Sequence, residues 1–195
     1  MPVETLKRCG WCVGDPLYEA YHDTEWGVPV LDDQTLFEFL ILETFQAGLS
    51  WITILRKREN FREALDGFNY EKIANYSEAK IEELLLNAGI IRNKLKVRAT
   101  VTNARAFMKV QEEFGSFSSY IWEFVQGKPI NNKVENYKEM PPTTSVSDAL
   151  SKNLKKRGFK FVGSTVMYAH MQATGMVNDH EVSCFRHKEV KQIKF

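Results

Sequence analysis

A chain of 195 residues, 44% of them hydrophobic, is long enough to bury one good-sized core, with room for two lobes. No uninterrupted apolar run is long enough to cross a bilayer, and residues 1–8, with Glu4, Lys7 and Arg8, lack the apolar stretch of a secretory signal, so a cytoplasmic protein is expected. The net charge of +1 hides an asymmetry: residues 1–90 hold 8 Lys/Arg against 16 Asp/Glu (−8), and residues 91–195 hold 18 against 9 (+9). A face built from the second half would attract a polyanion, unless the two halves neutralise each other in the fold.

Arg8-Cys9-Gly10-Trp11-Cys12 opens a segment dense in special residues that runs to Tyr21-His22-Asp23. Tyr18 and Tyr21 stand three apart, so one helical turn presents both phenols on neighbouring faces. Glu25-Trp26-Gly27-Val28-Pro29 ends that turn through glycine and proline. Asp32-Asp33 supplies the N-cap of a helix over about residues 34–45. Inside it, Glu43 follows Leu36, Phe37, Phe39, Leu40, Ile41 and Leu42, and a carboxylate amid that much apolar surface needs a partner or a pocket wall. A salt-bridged core glutamate is the plain alternative. Gly48 breaks the pattern, Leu49 and Trp51 lead into a helix over about 50–57, and Asn60 caps a short third.

Short helices are expected over 71–75 and 77–87, the second burying Ile81, Leu84 and Leu85. Asn87 to Lys94 then reads as a tight hairpin into a helix over about 94–113, with Val97, Val101, Ala104, Phe107 and Met108 on its core side. Amides at that helix start suit a phosphate, with Arg92 and Lys94 adding charge, although such a turn can equally be a plain connector. A helix over 117–125 precedes an irregular stretch, 127–144, the expected link between lobes. Ser147 and Asp148 start a helix that stops at Gly158, and one long helix is expected over 159–174, closed by Gly175. The tail, 185–195, carries Arg186, Lys188, Lys191 and Lys194 but no pattern that assigns it a role. Without repeat, heptad or strand-like alternation, the expected fold class is all-α.

Three cysteines in a cytosolic chain point to a metal or to spare thiols rather than to disulfides. His180 and Cys184 stand one helical turn apart, while Cys9 and His22 are available at the other end, with Cys12 making a Cys-x-x-Cys alternative. A Cys2His2 site from Cys9, His22, His180 and Cys184 would leave no position open for a reacting water and would be structural. The rival, a redox Cys-x-x-Cys, lacks a surrounding βαβ pattern.

Taken together, these segments resemble the 3-methyladenine DNA glycosylase I family, bacterial repair enzymes of the helix-hairpin-helix superfamily. The resemblance rests on Arg8-Cys9-Gly10-Trp11, Asp15-Pro16-Leu17-Tyr18, Tyr21-His22-Asp23, Glu25-Trp26-Gly27-Val28-Pro29, Gln46-Ala47-Gly48-Leu49-Ser50-Trp51-Ile52 and Ala88-Gly89-Ile90-Ile91-Arg92. It continues through Ser147 to Lys152, Lys155 to Gly163 and Val177-Asn178-Asp179-His180, in order, over nearly the whole chain. It implies a single glycosylase domain of two lobes: a helix-hairpin-helix lobe over about 32–126, and a zinc-clipped lobe from about 1–31 and 127–195. It also implies structural Zn2+ on Cys9, His22, His180 and Cys184 in preference to Cys12. Glu43 would act on the damaged base, with Tyr21, Trp11, Trp51 and Tyr18 around it. Leu49 would fill the gap in the duplex, and Gly89, Ile91, Arg92 and Lys94 would grip the DNA.

The implied activity is removal of 3-methyladenine from alkylated double-stranded DNA by a monomer, through base flipping. Related families that excise harder bases place an aspartate, sometimes a lysine, shortly after the hairpin. Here Lys94-Leu95-Lys96-Val97-Arg98 follows, with no aspartate until Asp148, so a monofunctional enzyme is expected. A non-catalytic zinc-clipped binding module is the rival from another class, and a thiol oxidoreductase using Cys9 and Cys12 is the third reading.

Overall fold

The computed structural model describes residues 6–194. Ten α-helices among them carry the fold: α1 (Pro16–Thr24), α2 (Asp33–Gln46), α3 (Trp51–Ala64), α4 (Tyr70–Ala74), α5 (Glu78–Leu86), α6 (Lys94–Phe114), α7 (Phe117–Trp122), α8 (Ser145–Lys156), α9 (Ser164–Ala173) and α10 (Phe185–Val190). One departure from an all-α chain is a parallel pair, β1 (Ile130–Asn131) and β2 (Val177–Asn178), with Ile130 opposite Val177. Two-residue strands have no alternation for a sequence reading to detect.

α2 is the centre. Every residue from Leu36 to Phe45 is buried, and a helix buried all round needs neighbours on every side. It packs against α3, α6, α7 and α9. Its start is fixed twice: Asp32 accepts from Thr35 N (2.8 Å), and Asp33 accepts from the backbone N–H groups of Phe117 and Ser118 (2.8 Å each) at the head of α7. Its end is fixed by Lys96 of α6, whose buried Nζ donates to the carbonyls of Phe45 (3.1 Å) and Ala47 (3.0 Å). Carbonyls at a helix end have no intrahelical donor, so a buried ammonium here satisfies itself and the helix together.

Two expected boundaries shift for tertiary reasons, and the tail, for which no element is expected, gains one. α3 runs unbroken to Ala64, because Asn60 does not cap a new helix but donates from Nδ2 to Gly89 O (3.3 Å). The expected helix over 159–174 begins only at Ser164. Asn103 of α6 accepts from Lys160 N (2.7 Å) and donates to Lys160 O (3.1 Å), and Ser151 donates to Val162 O (2.6 Å), so side chains claim the groups a helix would use. The tail forms α10, held by Phe185 N on Lys7 O (3.0 Å) and by Asn178 Nδ2 on His187 O (3.1 Å).

Residues 27–30 meet the end of α9. Gly27 N donates to Gln172 O (3.1 Å) and Val30 N to Thr174 O (3.0 Å). Gly175 makes that approach possible: at φ +70°, a Cβ there would lie 2.4 Å from Val28 C and Pro29 N. Trp26 is thereby brought to the end of α9. No helix among the described residues is long and apolar enough to cross a membrane.

Candidate active site and metal centre

Three helices each deliver one polar group to a cavity of about 200 Å³: Tyr21 from the last turns of α1, Glu43 one turn before the end of α2, and Trp51 at the start of α3. Trp11, Tyr18, Trp26, Gln46, Tyr137, Met140, Ala169 and Gln172 complete its wall. The Tyr21 hydroxyl, Glu43 Oε2 and Trp51 Nε1 are all sealed from solvent, and none has a hydrogen-bond partner. Buried polar atoms are satisfied in the great majority of cases, and each orphan costs about 1–3 kcal/mol. Three orphans meeting in one cavity are a site built for a group that the chain does not supply.

The salt-bridged alternative for Glu43 fails, whereas Glu38 on the same helix fits it, pairing with Arg58 Nε (2.6 Å) and Arg62 Nη2 (2.8 Å). Burial alone pushes the Glu43 carboxyl well above its ordinary 4.5, so the cavity of the free chain favours its neutral form. Burial, and then the proximity of Glu43 and Glu25, lifts the Tyr21 phenol far above 10; burial takes Tyr18 to about 12. Both phenols stay available as donors. Tyr21 and Trp51 rings lie 5.7 Å apart, and Trp11 stands edge-on to Tyr18 (4.7 Å) and Trp26 (4.9 Å). A flat molecule with a polar edge and a positive charge fits this cage: ring faces attract cations, and a cation beside Glu43 favours its ionised form.

Behind Trp11 and Trp26 lies the second cluster. Cys9, His22, His180 and Cys184 are all buried, with their ligand atoms within 4.8 Å of one another, so the group is able to hold a metal ion. The fit can be tested on its edges. Tetrahedral bonds of about 2.3 Å to sulfur and 2.0–2.1 Å to nitrogen put S···N edges near ~3.6 Å. Cys9 Sγ stands 3.6 Å from His180 Nδ1, and Cys184 Sγ 3.4 Å from His22 Nε2 and 3.8 Å from His180 Nδ1. The outward nitrogens are held as metal ligands require: His22 Nδ1 by Asp23 (2.8 Å), itself gripped by Arg8, and His180 Nε2 by the Trp26 carbonyl (2.9 Å). Cys12 is buried beside the group but outside it, its thiol donating to Cys9 O (3.2 Å).

Leu49, 40% exposed, sits at the turn between α2 and α3, where Gly48 takes φ +85°. The Asn87–Asn93 turn lies along the other side of α3. Lys57 Nζ donates to Gly89 O (3.2 Å), and Asn87 Oδ1 accepts from Gly89 N (2.8 Å). Asn93 caps α6 through Leu95 N and Lys96 N (3.1 Å each), leaving Arg92 and Lys94 exposed beside a half-buried Ile91. The sequence reading missed Gln46, Trp26, Tyr137, Met140, Ala169 and Gln172. Gln46 was within reach, three residues after Glu43 on one helical face; Tyr137 and Met140 come from the irregular 127–144 stretch, which carries no periodicity.

A family profile described as methyladenine glycosylase matches residues 11–187. Over 179 residues the chain is 51% identical to DNA-3-methyladenine glycosylase 1 of Escherichia coli (strain K12), covering 92% of this chain and 96% of that one. It is 48% identical to the DNA-3-methyladenine glycosylase of Haemophilus influenzae over 91% of this chain and 96% of that one. A solved structure of a 3-methyladenine DNA glycosylase I variant in complex with 3-methyladenine superposes with a TM-score of 0.89 at 35% identity, covering 91% and 96%. On this similarity of sequence and fold the chain belongs to the methyladenine glycosylase family, hydrolases of N-glycosyl bonds.

Proposed function

We propose that this protein excises 3-methyladenine from alkylated double-stranded DNA in base excision repair, flipping the nucleotide, releasing the free base and leaving an abasic site. The observation that carries this is the convergence of the unpartnered Tyr21 hydroxyl, Glu43 Oε2 and Trp51 Nε1 in one aromatic cavity. A base stacked in a duplex is out of reach, so it must be rotated out, at a cost of a few kcal/mol. The adenine edge offers the amino donor and ring-nitrogen acceptors that those atoms lack. Methylation at N3 makes the base cationic while it is attached to the sugar. Its charge beside Glu43 favours the ionised carboxyl, which pairs with it. Neutral adenine brings no charge to drive that ionisation.

Attack of water at C1′ breaks the bond to N9, whose electron pair neutralises the ring, and one proton is released. Since the leaving group is already cationic, little further push is needed, and no aspartate after the hairpin is required. The enzyme is monofunctional on this reading.

The Asn87–Lys94 turn is read as the helix-hairpin-helix DNA grip, with Arg92 and Lys94 on phosphates and Gly89 and Ile91 close to the backbone, and Leu49 as the plug for the vacated position. The base site then lies between a lobe of residues 32–126, giving Glu43 and Trp51, and one of 1–31 with 127–195, giving Trp11, Tyr18 and Tyr21. Zinc suits a buried, closed S2N2 set; it supplies no reaction chemistry but pins Cys9 and His22 to His180 and Cys184.

Incubation with methylated duplex DNA tests the proposal directly. Chromatography should show free 3-methyladenine, and a denaturing gel should show intact strands until alkali is added. Nicking by β-elimination would overturn the monofunctional mechanism, and absence of the free base would overturn the function. Arg92→Ala should weaken binding uniformly across sequences and lower the slope of log K against log salt by about 1. An unchanged slope would remove the phosphate contact.

A further inference from the structure

The base cavity opens into an outer cleft lined by Gly48, Leu49, Pro141 and Thr165, all exposed, and the two spaces share a neck. With the base inside and the sugar outside, the C1′–N9 bond crosses that neck. No acidic side chain is common to the two spaces; the polar residues that line both are Gln46, Gln172 and Tyr137. Among the described residues only Gln172 of these three has a hydrogen bond holding its side chain. Its Nε2 donates to Asp179 Oδ2 (2.8 Å) and lies 3.7 Å from Met140 Sδ. Both neighbours are acceptors, so the NH2 faces them; Gln172 lines the neck, and its carbonyl oxygen Oε1 makes no hydrogen bond among the described residues. Asp179 is buried and rigidly held, accepting also from the Tyr168 hydroxyl and from Asn132 Nδ2 (2.6 Å).

We propose that Gln172 Oε1 accepts a hydrogen bond from the water that attacks C1′ and holds it in line, while Asp179 fixes the amide. This rests on the glycosylase reading above. The bond from water oxygen to C1′ forms as C1′–N9 breaks, the electron pair passes to N9, and the surplus proton leaves through the open outer cleft. A neutral amide orients the water without taking its proton, which suffices where the leaving base is already cationic.

The test is Gln172→Leu, with Gln172→Asn as a second variant that keeps the amide but withdraws its carbonyl by one methylene. Single-turnover release from 3-methyladenine DNA should fall by about tenfold for Leu, the value of one hydrogen bond in the transition state, and by less for Asn. The Kd for free 3-methyladenine, read from tryptophan fluorescence, should stay within about twofold, because the water is bound only around intact substrate. A parallel loss of free-base affinity would mean that Gln172 reads the base, and an unchanged rate would mean that it does neither; each overturns the proposal. Wild-type protein on the same DNA separates the two levels: if it releases no 3-methyladenine, the underlying function falls and this proposal with it.

Discussion

Glu43→Gln is expected to abolish most base release while binding to undamaged DNA survives. Glutamine keeps the shape and the hydrogen-bonding edge but has no charge to set against a cationic base. Losing one such electrostatic contact in a dry site lowers the rate by about a hundredfold or more. The same substitution should stabilise the fold, in a pH-dependent way. Folded Glu43 titrates above its ordinary 4.5, so the folded chain keeps a proton that the unfolded chain releases. Its favourable contribution is therefore fully present below about pH 4.5 and is lost as pH rises towards the folded value. Gln carries no such penalty. The melting temperature of the variant minus that of wild type should be near zero at pH 4 and grow positive towards pH 8. Unchanged base release would refute the role of Glu43, whereas a melting difference independent of pH would refute its protonated burial.

Chelating the ion this group is proposed to hold, or Cys184→Ala, should lower the melting temperature by about 10 °C. The four-residue group joins Cys9 to Cys184 and thus closes nearly the whole chain. Breaking it leaves a buried thiol and two buried imidazoles without their common partner, at a cost of about 3–5 kcal/mol, and each kcal/mol shifts the midpoint by roughly 2–4 °C at this chain length. The base cavity shares a wall with the group, since Trp11 and Trp26 pack against His22 and Trp26 against His180, so activity should fall as well. Cys12→Ser is the control and should change little, because Cys12 lies outside the group. Freshly purified protein without bound metal, or a melting temperature indifferent to chelator, would remove the clip.

Much of this was legible in one dimension because it is local or written in residue type. The helical periods of α5 and α6, the cap Asp32 and the break at Gly48 follow from short-range sterics and hydrogen bonding. An acid following a run of apolar residues marked Glu43, and the Cys and His residues near the two ends marked the candidate metal group, although residue spacing alone left Cys12 in contention.

What the sequence could not decide is what depends on side chains claiming backbone from far away. Asn103 and Ser151 hold residues 160–162 out of a helix, Asn60 turns to Gly89 instead of capping, and Lys96 closes the end of α2. The isolation of Glu43 against the pairing of Glu38, on the same helix five residues apart, is likewise a tertiary fact: Arg58 and Arg62 reach one and not the other. Chain order fixed which groups were present. Only the fold decided which of them would be left without a partner, because satisfaction of a buried polar atom depends on every element that packs around it.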